Sequence, residues 1–366
     1  MKKTISFICA AILAAFTLSA CGPAASEAPV SDSKNPESSS IPAAESKSYE
    51  SAPTGEKLQI VASIFPEYDW VMNVLGSKAD RADVTLLLDS GVDLHSYQPT
   101  ADDILTISTC DLFIYVGGES DAWVDDALKE SVNKEMLVIN LLDVLGNAVK
   151  EEESVEGMQE TEHAHEHEEG EEHKHEEGEE HEREEGGIEY DEHVWLSLKN
   201  AAVLVNSIAD ALQTLDADNA DAYKANAAAY IEKLDALDAA YADAVEAAPI
   251  KTLLFGDRFP FRYLTDDYGL DYYAAFAGCS AETEASFETV TFLAGKVDEL
   301  SLHSILTIEG NDRRIAETIA ANTASKDQQI LTLDSMQATT AEDIAEGAAY
   351  LSVMESNLEI LKEALK

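Results

Sequence analysis

Residues 58–75 read LQIVASIFPEYDWVMNVL, and this stretch decides the kind of fold that the chain adopts. Its first six residues are mostly apolar, which is typical of a strand in the middle of a sheet. Pro66 then opens a segment with helical periodicity, at a position where proline commonly begins a helix. The stretch therefore predicts a strand followed directly by a helix, the repeating unit of α/β folds with parallel sheets.

The same alternation continues on both sides of one long helical segment. Further strands are predicted at 83–88, 112–116, 136–140, 252–255, 272–276, 304–308 and 330–333. Helices are predicted at 66–75, 100–109, 123–131, 198–215, 261–268, 289–300, 312–323 and 341–365. The predicted fold class is α/β, with two lobes that each contain a parallel sheet flanked by helices. In such sheets, ligands bind beyond the carboxyl ends of the strands.

Residues 216–248 contain no glycine or proline and are rich in alanine, aspartate, leucine and tyrosine. They predict one helix of about thirty residues, or roughly 45 Å in length. Such a helix can act as a rigid strut between an N-terminal lobe at 57–215 and a C-terminal lobe at 249–366. The alternative is an ordinary helix on the surface of the first lobe.

The N-terminus has the pattern of an export signal. Residues 1–20 combine two lysines with an apolar run that is short for a membrane span. Leu18-Ser19-Ala20-Cys21 resembles the bacterial lipobox, whose cysteine is lipidated and becomes the mature N-terminus. The alternative is an ordinary secretory signal that is cleaved nearby. Residues 21–56 are rich in Ser, Ala, Pro and Glu and predict a lipidated, flexible tether. We therefore expect an extracytoplasmic protein held at the membrane by acyl chains on Cys21.

A glutamate- and histidine-rich insert at residues 151–187 holds six of the nine histidines. These six are His163, His165, His167, His173, His175 and His181. Imidazole is a good ligand for Zn²⁺ and other transition metals, so the composition predicts a loop that collects metal. A solvated acidic linker is the alternative, but it does not explain histidine at every second position from His163 to His167. Without metal the insert is expected to be disordered.

Net charge and cysteine content narrow the function further. The formal net charge is −48, which argues against nucleic acid as a partner because phosphates require Lys and Arg. Two cysteines, Cys110 and Cys279, follow the tether. Export permits a disulfide. They lie in distant segments, however, and we expect two free thiols.

Two histidines outside the insert are candidate ligands for a divalent cation. His95 follows the predicted strand at 83–88, and His193 stands just after the insert. Two histidines in separate loops are a weak metal signal alone, but a metal-collecting insert so close to His193 strengthens it. His303 precedes a predicted strand, away from the carboxyl ends, and is interpreted as structural.

Three motifs resemble the solute-binding lipoproteins of zinc and manganese ABC importers, the cluster A-I metal-binding family. They are VASIFP at 61–66, DLHSYQP at 93–99 and EHVWL at 192–196, supported by Gly118 to Trp123 and by the segment from Tyr350 to Leu358. The resemblance covers the chain from about residue 57 to its end. The histidine-rich insert is similar to that of the zinc-uptake members.

The resemblance implies one divalent cation held in a cleft between two lobes joined by a long helix. His95 and His193 match the two ligands that the family takes from its first lobe. The fourth family ligand is often an aspartate after the last strand, and Asp334 lies in the matching segment, Thr332-Leu333-Asp334-Ser335. The alternative for Asp334 is a cap or turn residue.

The third family ligand is where this sequence departs from the pattern. Family members place a histidine or a glutamate after the first strand of the second lobe, whereas residues 254–263 read LFGDRFPFRY. Asp257 is the nearest carboxylate, although Arg258 could simply pair with it. Glu309 ends another strand of the second lobe and is a further candidate. The predicted metal ligands are therefore His95, His193, Asp334, Asp257 and Glu309.

The resemblance implies a high-affinity, monomeric metal receptor that delivers its ion to a membrane permease and is not an enzyme. The histidine-rich insert favours Zn²⁺, whereas two histidines with carboxylates would suit the harder Mn²⁺ and leave a manganese receptor open. A surface lipoprotein for zinc buffering or adhesion is a further alternative. A zinc hydrolase is the weakest alternative. It needs an open coordination position and a general base, for which Asp257 or Glu309 could serve, but nothing else in the sequence marks a substrate pocket.

Overall fold

The alternation of strands and helices forms two four-stranded parallel sheets in a computed structural model that describes residues 57–159, 189–280, 284–310 and 312–366. The signal peptide, the tether with Cys21 and the six histidines of the insert lie outside the described residues. Within the described ranges, no helix combines the length and the apolar character that crossing a bilayer requires.

The first lobe is built on a sheet with the strand order β2-β1-β3-β4, and all its strands are parallel. Its strands are β1 (Leu58–Ala62), β2 (Ala82–Leu86), β3 (Leu112–Tyr115) and β4 (Leu137–Asn140). Its helices are α1 (Phe65–Leu75), α2 (Ala101–Thr109), α3 (Val124–Lys129), α4 (Leu141–Leu145) and α5 (Leu198–Leu215). Every residue of β3 is buried, as expected for a strand inside a sheet that helices cover on both faces.

The second lobe repeats this architecture in the order β6-β5-β7-β8, again with all strands parallel. Its strands are β5 (Thr252–Phe259), β6 (Asp271–Ala277), β7 (Ser304–Ile308) and β8 (Gln329–Leu333). Its helices are α7 (Arg262–Tyr268), α8 (Phe287–Leu300), α9 (Arg314–Asn322), α10 (Ala341–Glu346) and α11 (Tyr350–Ala364). In both lobes the second strand along the chain lies at the edge of the sheet, beside the first.

A single helix of 28 residues, α6 (Ala220–Ala247), links the lobes as predicted. Near its N-terminal half, the Tyr230 hydroxyl donates to Asp69 of α1 at 3.1 Å. Further along, the Tyr241 hydroxyl donates to the carbonyl of Met354 in α11 at 2.6 Å. Because buried tyrosines of α6 form hydrogen bonds with elements of both lobes, α6 is the predicted rigid linker between the lobes and not a surface helix of the first lobe.

The structure corrects the predicted elements at the end of the chain and at β5. The closing helix, predicted as one element, is divided into α10 and α11 because Gly347 adopts a left-handed φ of 105°. Strand β5 continues to Phe259, four residues beyond its predicted end, with a register shift between Phe255 and Arg258. Helix α4 was not predicted.

Residues 151–159, the first part of the insert predicted to be disordered, are instead ordered against the second lobe. Glu151 forms an antiparallel bridge with Tyr190. The Gln159 backbone N–H donates to the carbonyl of Ala275 at 2.9 Å, and its side chain accepts from the Ser286 N–H at 2.7 Å. The segment 151–159 therefore runs from the first lobe across to strand β6 and helix α8.

Candidate metal centre

His95 lies in a short 3₁₀ turn, Leu94–Ser96, in the segment that follows β2. The Asp93 side chain begins this turn by accepting a hydrogen bond from the His95 N–H at 3.0 Å. The His95 ring is positioned through its Nδ1, which lies 2.8 Å from Ser120 Oγ and 3.4 Å from Glu192 Oε2. With Nδ1 engaged in this way, Nε2 is the ring nitrogen that remains to bind a ligand.

His193 is fully buried and is positioned in the same manner by the residue two places before it. Asp191 Oδ1 accepts from the His193 backbone N–H at 2.9 Å and lies 3.0 Å from its Nδ1. Burial alone would lower the pKa of His193, but the negative charges of Asp191, Glu192 and Asp93 outweigh it and raise this pKa above its ordinary value. A carboxylate on Nδ1 fixes the tautomer that leaves the Nε2 lone pair free for a metal.

The two histidines converge on one point. Their Nε2 atoms lie 3.1 Å apart, and their ring centroids are 5.1 Å apart with the planes inclined at 61°. The Glu192 carboxylate lies behind them and also accepts from the Ser120 N–H at 2.9 Å. Burial would raise the pKa of Glu192, but its hydrogen bonds with His95 and Ser120 hold this pKa below the ordinary range. An anionic carboxylate therefore supports the first-lobe half of the site.

A third ligand atom at this point comes from Cys279, in the loop that follows β6. Its Sγ and one ring nitrogen each of His95 and His193 all lie within 4.8 Å of one another. In the ranges described, this is the one cluster of three or more His, Cys, Asp or Glu side chains with the spacing of metal ligands. Burial, and then the anionic charge of Glu152, raises the pKa of the Cys279 thiol above its ordinary value. The prediction that Cys110 and Cys279 are free thiols is confirmed.

Two glycines of the second lobe lie where a side chain would collide with neighbouring atoms. A Cβ at Gly278 would lie 2.9 Å from His193 Cε1, so the backbone beside Cys279 passes directly over that ring. A Cβ at Gly256 would lie 2.6 Å from Cα of Ala316 in α9. Residue 256 therefore has no room for a side chain.

The three predicted carboxylate ligands lie outside this cluster, and each is engaged by nearby donors. Asp257 is buried and accepts from the N–H groups of Arg258 and Ile308 at 2.9 and 3.2 Å. Glu309 accepts from the Ser335 N–H, the Ser335 hydroxyl and the Gln337 N–H at 2.7, 2.7 and 3.0 Å. Asp334 accepts from the Met336 N–H at 2.8 Å, and burial together with Glu309 raises the pKa of Asp334 to about 6.

Arg258 pairs with a first-lobe residue, an arrangement that the sequence did not indicate. Its guanidinium lies 2.7 Å from Asp93, the residue that begins the His95 turn, and also contacts the carbonyl of Ser280 at 3.5 Å. Burial would raise the pKa of Asp93, but the charges of Arg258 and His95 hold it below its ordinary value. Arg258 thus connects the loop that carries His95 with the loop that carries Cys279.

Cys279 is the candidate ligand that sequence reasoning missed. The signal was its place immediately beyond β6, since the carboxyl end of a parallel strand is where His95 had been expected to form a site. Both cysteines were instead considered only as partners in a disulfide or as free thiols.

The chain resembles known proteins in both sequence and fold. A profile of the family described as periplasmic zinc-uptake complex component A, ZnuA, matches residues 60–364. The zinc-binding lipoprotein AdcA of Streptococcus pneumoniae is 35% identical over 307 residues, which are 84% of this chain and 56% of that protein. The high-affinity zinc uptake system protein ZnuA of Bacillus subtilis is 32% identical over 311 residues, which are 85% of this chain and 88% of that protein.

A solved structure extends the likeness to three dimensions. The Zn(II)-bound ZnuA-like domain of Streptococcus pneumoniae AdcA is 30% identical, with a TM-score of 0.64, and the match covers 84% of this chain and 99% of that domain. The two four-stranded lobes and the helix that links them are thus the fold that this chain shares with that zinc-bound domain. This chain belongs to the ZnuA family of zinc-uptake components. It spans about half the length of the AdcA proteins that it matches, since those continue beyond the shared region.

Proposed function

We propose that this protein is the extracytoplasmic receptor of an ABC importer and that it carries one Zn²⁺ ion between its two lobes. The observation that carries the proposal is the convergence of His95 Nε2 and His193 Nε2 at 3.1 Å, with Ser120 on one Nδ1 and Asp191 on the other. Two neutral imidazoles fixed in this way are preorganised for a borderline cation such as Zn²⁺.

In this proposal, capture proceeds from the first lobe to the second. His95 and His193 hold the ion first, because both rings are fixed before it arrives. The loops at the carboxyl ends of the second-lobe strands then complete the coordination, and Asp334, Asp257 and Glu309 are the carboxylates that lie in or beside those loops. Because each lobe contributes, the bound ion favours one arrangement of the lobes that a permease can recognise.

The relatives support the same role. One is named a zinc-binding lipoprotein and another a high-affinity zinc uptake protein. We propose by extension that a membrane permease is the partner, that Cys21 carries the lipid anchor and that the receptor acts outside the cytoplasm as a monomer. The family is one of solute receptors, and we propose that this member performs no covalent chemistry.

We propose a separate, weaker role for the histidine-rich insert. Its six histidines, His163, His165, His167, His173, His175 and His181, are close in sequence and surrounded by glutamate. Ordering such a segment around an ion costs conformational entropy, so each ion should bind more weakly there than in the cleft. The insert would raise the local zinc concentration without forming part of the tight site.

Metal analysis of protein purified without added metal tests the function directly. We expect one tightly held zinc ion and preference for Zn²⁺ over Mn²⁺ in competition. Deleting residues 161–185 should remove the weak sites and leave the affinity of the tight site within about twofold, because the cleft residues lie outside the deleted segment. A protein that retains manganese and exchanges zinc readily would instead support a manganese receptor.

A further inference from the structure

We propose that Cys279 is the second-lobe ligand of the ion, so that a thiolate occupies the place where the family pattern has a histidine or a glutamate. The inference rests on the proposed function and makes it more specific. It predicts a centre of two histidines and one cysteine that discriminates against Mn²⁺ by ligand chemistry.

The separations of the three ligand atoms fit a small tetrahedral ion. Zn–N bonds of roughly 2.0–2.1 Å and a Zn–S bond of about 2.3 Å place tetrahedral ligand atoms about 3.3–3.6 Å from one another. The two Nε2 atoms lie 3.1 Å apart, and the three candidate atoms all fall within 4.8 Å. The longest of the three separations would have to shorten by about 1.2 Å at most to reach the tetrahedral value.

The architecture brings His95 and Cys279 together from equivalent places in the two lobes. His95 follows β2 and Cys279 follows β6, and each of these is the edge strand beside the first strand of its sheet. Gly278 permits the Cys279 loop to approach, because any side chain at that position would collide with the His193 ring. The Cys279 N–H is held by Glu152 Oε1 at 3.1 Å, which fixes the loop from the first-lobe side.

The other second-lobe candidates are less suitable for the third position. The family pattern places its third ligand near residue 256, but a side chain at Gly256 would collide with Ala316. The Asp257 carboxylate accepts from two backbone N–H groups, and that of Glu309 accepts three hydrogen bonds that shape residues 335–337. Asp334 remains a candidate for a fourth ligand, because it is hydrogen bonded through one oxygen to Met336.

A purely structural role for Cys279 accounts less well for its position. Cys110 is the structural thiol of the pair, since it is 1% exposed in the first-lobe core, with its Sγ 3.3 Å from Met136 Sδ. Cys279 is partly exposed, lies beside two histidines and forms no disulfide. If packing alone were required there, a small apolar side chain would serve equally well.

The chemical consequence is selectivity for ions that accept sulfur. Thiolate and imidazole favour Zn²⁺, whereas Mn²⁺ prefers carboxylate, carbonyl and water oxygens. A site with Cys279 as a ligand should therefore exclude Mn²⁺ more strongly than a site completed by a glutamate. This removes the chemical argument for manganese that the missing third histidine had raised.

Cobalt spectroscopy on the full chain tests the assignment, since Co²⁺ substitutes for Zn²⁺ and gives a near-ultraviolet charge-transfer band only when sulfur is bound. We expect the wild-type protein to show this band with one equivalent of Co²⁺, Cys279→Ser to lose it and Cys110→Ser to keep it. In Cys279→Ser, zinc affinity should fall by at least the roughly 10–100-fold that is typical of losing a residue that supports a ligand. The preference of this variant for Zn²⁺ over Mn²⁺ should also fall.

The outcomes separate this inference from the proposed function. A wild-type protein that binds zinc tightly but gives no sulfur band with Co²⁺ overturns the role of Cys279 and leaves the zinc receptor standing. Equal zinc affinity in wild type and Cys279→Ser does the same. A wild-type protein that shows the band but no zinc preference would overturn the proposed selectivity and count against the zinc receptor itself. The wild-type spectrum requires no substitution, so the test does not depend on how the variants fold.

Discussion

The two lobes share one strand order but build their halves of the cleft differently. In the first lobe, His95 and His193 are fixed by side chains of the same lobe, Ser120 on one ring and Asp191 on the other. In the second lobe, the Cys279 loop is held by Glu152, which accepts from the Cys279 N–H and belongs to the segment 151–159 that runs from the first lobe to the second. The first half is therefore prepared in advance, whereas the second depends on contacts with the first.

The ion pair between Arg258 and Asp93 strengthens this asymmetry. It connects strand β5 to the turn that carries His95, and both side chains are largely buried. An ion pair in this position favours the arrangement in which both lobes face the same point. We therefore expect affinity to originate mainly in the first lobe, while the second lobe completes the coordination and supplies selectivity.

The largest effect on zinc affinity is expected from the first-lobe ligands. His95→Ala and His193→Ala should each abolish the tight site, because either change leaves one fixed imidazole where two are needed. The measurement is competition with a chelator of known affinity, in a chain that lacks residues 161–185 so that the insert does not contribute. His303→Ala is the matched control, since that histidine is exposed and precedes β7. If the double variant still holds one zinc ion tightly, the site lies elsewhere.

A smaller loss is expected when the support of a ligand is changed and the ligand is kept. Asp191→Asn removes the charge beside His193 Nδ1, and replacing such supporting groups typically costs roughly 10–100-fold in metal affinity. Asp266→Asn is a suitable control, because the interaction described for Asp266 is a half-exposed ion pair with Lys150. Zinc titration of the two variants should separate them by at least about tenfold. Equal affinities would mean that Asp191 does not position His193.

The architecture could be predicted almost entirely from the sequence. All eight strands were anticipated because each is a short apolar run, and short runs separated by helical segments require a parallel sheet. The linking helix was equally clear from its length without glycine or proline. Gly347 shows the limit, since a glycine inside a helical pattern is often tolerated and only its left-handed conformation here ends α10.

The candidate site was predictable only on its first-lobe side. His95 and His193 stand in motifs that carry their own context, so each could be recognised locally. Cys279 lies far from both in sequence, and its proximity follows from the strand order of the second sheet, which no local pattern encodes. The sequence pattern directs attention to residues near 256 on β5, whereas the ligand that we propose follows β6, the neighbouring strand of that sheet.

We expect some second-lobe carboxylates to contribute to stability and others to zinc binding. Glu309→Gln should lower stability by roughly 1.5–3 kcal/mol for each charged hydrogen bond that it loses to residues 335–337, with little change in zinc affinity. Asp334→Asn should spare the fold, because the raised pKa of about 6 shows that burial and Glu309 oppose its charge in the folded state. If Asp334 is a fourth ligand, the change should weaken zinc binding less than the loss of either histidine does, because asparagine keeps one oxygen that can still bind the ion.

Thermal melts of the metal-free proteins, paired with zinc titrations, measure both properties of these variants. Asp257→Asn should behave like Glu309→Gln, since the Asp257 carboxylate accepts the Ile308 N–H and so links β5 to the end of β7. A large loss of zinc affinity in Glu309→Gln or Asp257→Asn, with unchanged melting, would restore that residue as a ligand. It would also weaken the assignment of Cys279.

The smallest effect on zinc binding is expected at Glu67, which stabilises the first lobe beyond the end of β1. Its buried carboxyl accepts from the N–H groups of Ser63 and Ile64 at 2.7 and 3.2 Å. Burial, only partly offset by these hydrogen bonds, raises its pKa from 4.5 to about 8. Between these two values the folded state holds a proton that the unfolded state has released, so the stability contributed by this group falls as pH rises through that window.

Glu67→Gln removes this titration and keeps an oxygen to accept from Ser63 and Ile64. The free energy of unfolding of the variant, relative to wild type, should therefore rise between about pH 4.5 and pH 8, by roughly 1.4 kcal/mol for each unit of the pKa difference that the protein realises. Denaturant unfolding of the metal-free proteins at several pH values measures the difference, and zinc affinity at pH 7.5 should stay within about twofold because Glu67 contacts neither histidine. A difference that does not change with pH would mean that Glu67 is already ionised in the folded first lobe. The first lobe would then hold a further buried negative charge beyond the end of β1.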